Sequence, residues 1–367
     1  MPTARRFSRR AFQCGMYEAQ DVLAQNDAVD LVTFETKPGF ATRQTWHRRL
    51  LYHDISRRLI HFNPGLKPIR LARDYDLFVV VCPNYWDLLY VNAIEGWKDH
   101  CKTSVCWVDE MWSAQIAQFK YWLHWLRQFD YIFVGIRGSA APLSKAIDKE
   151  CRWLPGAVDC LRFTPNPTPP QRVVDIYSMG RRWEGVHGAL LDAAARKELF
   201  YVYDTFPGAE SEPFDHRQHR DMLANMTKRS RFFMVAPPKM DTPEETQGQS
   251  GIGYRYYEGA AAGAVMIGQA PTCPEFAELF PWPDTVVPIR PDGSDVLQVL
   301  CQLSAEPQRL AAMAERNAGE ALLRHDWAHR WNEMFRVIGM DLSPGMVARE
   351  EHLEELAEPL TQSCICH

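Results

Sequence analysis

Short, unbroken apolar runs alternate with longer stretches of helical period along most of this chain. In the first half, residues 29–34, 77–81, 104–108 and 131–134 read as strands. Between and around them, 6–25, 43–60, 86–97, 113–128 and 142–149 read as helices. The second half repeats the alternation, with strands expected at 173–178, 200–203, 232–235, 264–267 and 286–289. Its helices are expected at 186–197, 217–228, 296–303, 307–323 and 327–337, with a polar loop at 237–249. A strand covered by helices on both faces needs no polar side, so continuous apolar strands alternating with helices imply parallel sheets packed on both faces. The expected fold class is α/β, with two Rossmann-like domains facing each other across a cleft.

The segment TPNPTPP at 164–170 places four prolines in seven residues, which precludes helix and favours an extended linker. The expected domains are therefore 1–166 and 167–325, then a helix at 326–340 and an acidic tail at 341–367. Leu353, Leu356 and Leu360 fall at helical spacing in that tail, so a small docking helix is one reading. A solvated tail is the reading adopted, because acidic residues dominate the segment.

Composition narrows the function classes. A chain of 367 residues is long enough for two cores, and 46% hydrophobic with 24% charged residues is the balance of a soluble globular protein. The net charge of −5 gives no basic excess to drive nucleic-acid binding. The local cluster Arg5, Arg6, Arg9 and Arg10 reads as a solvated helix face. The N-terminus lacks the apolar segment of a signal peptide, and no apolar run approaches the ~20 residues that span a bilayer. The expectation is a cytoplasmic protein without integral membrane contact. Ten cysteines scattered from Cys14 to Cys366 agree with it. Cys364, Cys366 and His367 are three potential metal ligands with no matching pair elsewhere, so a disordered tail is expected there and no metal site.

Candidate chemistry concentrates at 248–268, GQSGIGYRYYEGAAAGAVMIG, which reads as loop, helix start, short helix and buried strand. Glycines admit close backbone approach, and a helix start offers unpaired N–H donors, so the stretch can seat a diphosphate. At helical spacing Gly251, Arg255 and Glu258 share one face, which would place Arg255 on a phosphate and Glu258 on a sugar or ribose hydroxyl. The same residues would equally serve as a Gly-rich turn and a closely packed core helix. Neither a Walker A sequence nor Gly-x-Gly-x-x-Gly is present, since Tyr256 stands where the third glycine belongs. Asp74-Tyr-Asp76 precedes its strand and reads as a turn. His187 reads as structural. Trp107, Trp112, Trp122 and Trp125 could stack on sugar rings, with core packing expected for at least two of them. Of Tyr254, Tyr256 and Tyr257, one at most should meet a ligand.

Four segments carry a family resemblance: WLPGAVD at 153–159 with Phe163; IYSMGRR at 176–182; SRFFMV at 230–235 followed by YRYYEGAAAGAVMI at 254–267; and LRHDWAHR at 323–330. Together they resemble the nucleotide-sugar domain of GT-B glycosyltransferases of the spore-maturation, family-1 and family-4-like group, with an echo of the exostosin domain. The resemblance covers about 130–337, with weaker support before it. It implies a C-terminal helix that returns to the first domain, and metal-independent transfer of a sugar from a nucleotide-diphosphate donor to an acceptor hydroxyl on a glycan, protein or small molecule. No cofactor besides the donor is implied. By the resemblance, Glu258 binds donor hydroxyls, Arg255 orients the phosphates or that glutamate, and Arg181 stabilises the leaving diphosphate. The amides of Gly251 and Gly253 and the ring of Tyr254 would border the same donor.

Two departures qualify the match. Ser250 stands eight positions before Glu258, where retaining members carry a second glutamate, and Glu184 precedes Gly185 where a lysine is usual. Arg182 or Lys239 would then supply the missing charge. The first domain opens with a helix where the family has a strand, so its acceptor site has no Gly-rich marker. Asp109 and Glu110 follow a strand and could act as base toward an acceptor, or simply cap the next helix. A catalytically degenerate donor-binding scaffold and a nucleotide-sugar epimerase are the alternative readings.

Overall fold

The structure is a computed structural model that describes residues 1–7, 10–51, 59–205 and 215–363. Its strands are β1 (Pro2–Thr3), β2 (Val32–Thr33), β3 (Ile69–Arg70), β4 (Tyr75–Asn84), β5 (Ile94–Glu95), β6 (Cys101–Glu110), β7 (Tyr131–Val134), β8 (Arg152–Trp153), β9 (Val174–Ser178), β10 (Tyr201–Tyr203), β11 (Ser230–Val235), β12 (Val265–Gly268) and β13 (Val286–Pro288). The α-helices are α1 (Cys14–Asn26), α2 (Phe40–Leu51), α3 (Ser113–Leu123), α4 (Arg137–Ile147), α5 (Cys160–Phe163), α6 (Glu184–Ala195), α7 (His216–Lys228), α8 (Pro243–Thr246), α9 (Tyr254–Ala261), α10 (Pro274–Leu279), α11 (Val296–Ser304), α12 (Pro307–Arg324), α13 (Trp327–Ile338) and α14 (Pro344–Ser363). Arg9, Cys364, Cys366 and His367 lie outside the described residues, as does the side chain of Trp122. Among the described residues no helix is long and apolar enough to cross a membrane.

One compact unit comprises residues 1–9, 28–155 and 242–249. Its main sheet is parallel, in the order β4-β6-β7-β8. Val79, Val80, Val81, Val105, Cys106 and Val108 are all buried, which is why these strands read as apolar runs rather than alternating ones. The expected helix at 86–97 is instead a 3-10 stretch, Tyr85–Ala93, followed by β5, which pairs with β3. The chain also opens with a strand, not the expected helix: β1 pairs in parallel with β2, and the Met1 ammonium donates to the Asp30 carbonyl at 2.8 Å. The helix expected to begin at Pro142 begins five residues earlier and carries the proline inside it. Proline there removes the donor for the Gly138 carbonyl, and the Ser113 hydroxyl supplies it at 3.0 Å.

The second compact unit comprises residues 10–27, 156–241 and 250–367. Its sheet is wholly parallel, in the order β10-β9-β11-β12-β13. Gly268 ends β12 at φ +148, and a Cβ there would stand 1.8 Å from the Val235 carbonyl oxygen. Only glycine lets the chain leave the sheet at that point. The long stretch of the first unit, 28–155, ends ahead of the proline-rich segment where the boundary was expected, and the unit takes up 242–249 again later.

Three helices outside the expected donor segment pack in this unit. The Trp331 indole donates to the Ala19 carbonyl at 3.0 Å and the Trp327 indole donates to Glu18 at 3.0 Å, so α13, expected to return to the first domain, packs on α1 within the second unit. The acidic tail is not solvated: it forms α14, with Met346, Leu353, Ala357 and Leu360 buried. Arg349 fastens it by donating to Asp326 at 2.8 and 2.9 Å and to Asp159 at 2.6 Å. An apolar stripe this sparse hides behind the acidic exposed face in the sequence.

Candidate functional site

Of the residues expected to hold a donor, Arg255 and Glu258 come together at α9 beside the turn that follows β9. The chain leaves β9 through Met179 and Gly180, the latter at φ +82. Arg255, in the first turn of α9, donates from Nε to the Met179 carbonyl at 3.2 Å. Its Nη2 lies 3.6 Å from where a Cβ on Gly180 would stand, so the guanidinium fits against a turn that glycine keeps open. Gly253 is the extended N-cap residue of α9, and Gly251 lies ahead of the helix altogether. The common face expected for Gly251, Arg255 and Glu258 is thus reduced to the last two.

Glu258 is fully buried and both of its carboxylate oxygens are taken. Arg255 donates to Oε2 and Arg220 donates to Oε1. Burial alone would favour the neutral acid, but the two guanidinium groups outweigh it and hold the pKa down to about 2. Arg220 itself is buried on α7 and grips Glu18 of α1 with two further donors, both at 2.9 Å. Its guanidinium also lies 4.8 Å from the Phe163 ring centroid. Glu18 collects the Arg162 guanidinium at 3.1 Å, the Asp159 amide at 3.0 Å and the Trp327 indole as well. Beside them, burial and then the neighbouring arginines push the His219 imidazole down to about 4. Glu18 and Arg220 went unremarked in the sequence, because their contact spans 202 positions and no local spacing announces it.

The remaining expected residues are distributed as follows. Arg181 pairs with Asp241 at 2.8 Å on a half-exposed surface. Arg182 donates to the Asp204 carboxylate at 3.2 Å and to its carbonyl at 2.7 Å, and the same carboxylate accepts from the Gly180 amide at 3.2 Å. Arg182 is thus a brace for the turn. The Ser250 hydroxyl accepts from the Thr272 amide at 3.2 Å, a structural engagement of the position where a second glutamate was looked for. The Tyr254 ring comes within 3.1 Å of where side chains at Gly15 and Gly156 would begin, so the ring packs toward α1. Lys239 occupies a left-handed turn, φ +58, after β11.

Other candidates settle into structural roles. The Tyr256 hydroxyl donates to the Gln269 carbonyl at 2.6 Å, and Tyr257 is buried. His187 Nδ1 lies 2.9 Å from the Tyr201 hydroxyl. Trp107, Trp112 and Trp125 are buried in the first unit. Asp74 and Asp76 pair separately with His100 and Lys102 at 2.7 and 2.6 Å. Asp109 and Glu110 are the last two residues of β6 rather than following it; the Glu110 carboxylate accepts from the Trp112 indole at 2.9 Å, while Asp109 stands against Gly135, where a Cβ would meet the Asp109 carbonyl at 2.4 Å.

Residues 173–336 match a family model described as glycosyl transferase-like. No curated protein matches the sequence significantly. Among solved structures, an alpha-glucosyltransferase in complex with UDP aligns with a TM-score of 0.53 at 11% identity, covering 92% of this chain and 98% of that one. The same kind of enzyme with UDP-glucose and DNA containing an abasic site aligns at 0.54 and 10% identity, with the same coverages of 92% and 98%. HepE from Anabaena in complex with UDP aligns at 0.50 and 11% identity, covering 90% and 96%. The match falls on a transferase family rather than on an epimerase, and it spans both β9 and α9, where Arg255 meets the Gly180 turn. Residues 173–336 thus match the glycosyl transferase-like family model, and the chain has the fold of these glycosyltransferases.

Proposed function

We propose that the protein moves a sugar from a nucleoside diphosphate sugar to an acceptor hydroxyl, with UDP as the first diphosphate to try. The observation that carries this reading is Arg255, which reaches from the start of α9 to the Gly180 turn at the carboxyl end of β9 while paired to Glu258. Ligands of parallel sheets sit beyond the carboxyl ends of the strands, and a helix start adds N–H donors with positive dipole. The structural neighbours named above hold UDP or UDP-glucose. As the glycosidic bond breaks, negative charge grows on the β-phosphate oxygen, and fixed cations with backbone donors stabilise it. Arg255 and the amides around Gly251 and Gly253 supply that stabilisation, and Glu258 receives a ribose or sugar hydroxyl. Arg181, held among the described residues by the half-exposed Asp241 carboxylate, turns from it to the phosphate, and Lys239 adds charge from the turn after β11. Asp109 is the base candidate toward the acceptor.

A thermal-shift screen with UDP, GDP, TDP, CDP and ADP tests the reading, repeated with Glu258→Ala and Arg255→Ala. A ligand at 100 times its dissociation constant adds ~2.7 kcal/mol to stability. The expected result is a rise with one nucleotide that both substitutions reduce, followed by turnover of the corresponding sugar donor. No rise with any nucleotide, or a rise indifferent to both substitutions, would reject it. The structural use of the Ser250 hydroxyl favours a second reading, a donor-binding scaffold without turnover. Slow donor hydrolysis that Glu258→Ala abolishes rejects that one.

A further inference from the structure

Resting on the donor-site reading above, we propose that Arg255 is a movable latch on Glu258. In the free protein it occupies the carboxylate, and the diphosphate of an arriving donor draws the guanidinium away, so that Oε2 becomes free to accept a hydroxyl. The site then selects nucleoside diphosphates over nucleosides, because a nucleoside brings nothing to open the latch.

The two arms that hold Glu258 differ in every respect that decides mobility. Arg220 is buried and donates twice to Glu18 as well as to Glu258, with the Phe163 ring against its guanidinium. Moving it would take a cation away from two buried carboxylates at once. Arg255 has a side chain 25% exposed, stands in the first turn of α9, and among the described residues is held outside Glu258 by a single carbonyl, that of Met179. A phosphate can offer this guanidinium a two-pronged, charge-assisted contact in place of the single donor it gives to Oε2. The exchange frees one oxygen of Glu258 while the fixed arm keeps the other, so the carboxylate stays ionised and oriented. Glu18 and Arg220 are accordingly positioning residues: they hold the acceptor of the hydroxyl without touching the donor.

Calorimetric titration of the full-length protein with uridine and with UDP tests the latch. For the wild type, UDP binds and uridine binds far more weakly. In Arg255→Ala, uridine should bind more tightly, by about tenfold if the carboxylate is free a tenth of the time in the wild type, because removing the competing state removes its toll on apparent affinity. UDP should bind less tightly in the same variant. In Arg255→Ala combined with Glu258→Gln, the uridine gain should vanish, since it runs through the carboxylate. Arg255→Gln, which keeps a neutral donor in place of the cation, should shift both ligands in the same directions and serves if the alanine variant does not fold. An Arg255→Ala protein that loses UDP affinity while uridine affinity stays level or falls overturns the latch and leaves Arg255 a plain phosphate ligand. A uridine gain that survives in the double variant also overturns it, as the mark of space opened by truncation. UDP binding untouched by all three substitutions overturns the donor-site reading itself.

Discussion

Replacing Arg220 by Met keeps much of the side-chain volume and removes the charge that joins two buried carboxylates. Glu18 keeps Arg162, the Asp159 amide and the Trp327 indole; Glu258 keeps Arg255. The loss is three charge-assisted hydrogen bonds, set against relief from burying the guanidinium. Breaking a buried pair from one side costs about 3–5 kcal/mol. That is a large share of the roughly 5–15 kcal/mol that separates a folded domain from its unfolded state. At about 2–4 °C per kcal/mol for a unit of this size, the melting temperature should fall by roughly 6–20 °C at pH 7. The pH dependence gives the sharper test. Glu258 has a folded pKa held down to about 2, below its unfolded value, so its contribution is present above about pH 4.3 and is lost as pH falls toward 2. Part of that contribution comes from Arg220, so the gap between wild type and Arg220→Met should narrow as pH falls from 5 to 2. Urea unfolding followed by tryptophan fluorescence across that range measures it. A loss under 1 kcal/mol at pH 7, or a gap that stays constant down to pH 2, would refute the argument.

Two further outcomes can be checked the same way. Burial lifts the Asp87 carboxyl to about 7, so its stabilising protonation is complete below about pH 3.9 and is lost as pH rises through 7; Asp87→Asn should flatten that decline and leave the variant more stable than the wild type at pH 8.5. Arg349→Met leaves Asp159 and Asp326 without the cation that ties α14 to them, and should lower stability by about 3–5 kcal/mol while exposing 344–363 to limited proteolysis; cleavage no faster than in the wild type would contradict it.

What the sequence discloses depends on how far apart the partners lie. Val79 to Val81, Phe232 to Val235 and Val265 to Ile267 are buried on a parallel sheet, and burial on both faces writes itself as a run. The Arg255 and Glu258 pair was legible because both stand on one helix three positions apart. The carboxylates of Arg181 and Arg182 lie 60 and 22 positions away, which left both arginines looking available for a ligand. Pro142 misled by a rule that holds only when nothing replaces the lost donor, and here the Ser113 hydroxyl replaces it. The helix at 344–363 was obscured because one of its anchors is an arginine, a residue that reads as solvated until its two aspartates are seen.

Glu18 gives the fold a timetable as well as a shape. The residue is made early, yet Arg220 follows it by 202 positions and Trp327 by 309. At ~5–20 residues per second, roughly 10–40 s pass on the ribosome before Arg220 exists, and longer before Trp327 does. During that interval Glu18 gains its partners one at a time, since Arg162 follows it by 144 positions and Arg220 by 202. Residues 10–27 therefore leave the ribosome long before the last of their partners exist. A fragment begun at Gly156 would contain every strand of the second sheet and still lack Glu18, one of the two acids that pair with Arg220, so the two halves of this chain are not separable at Pro155.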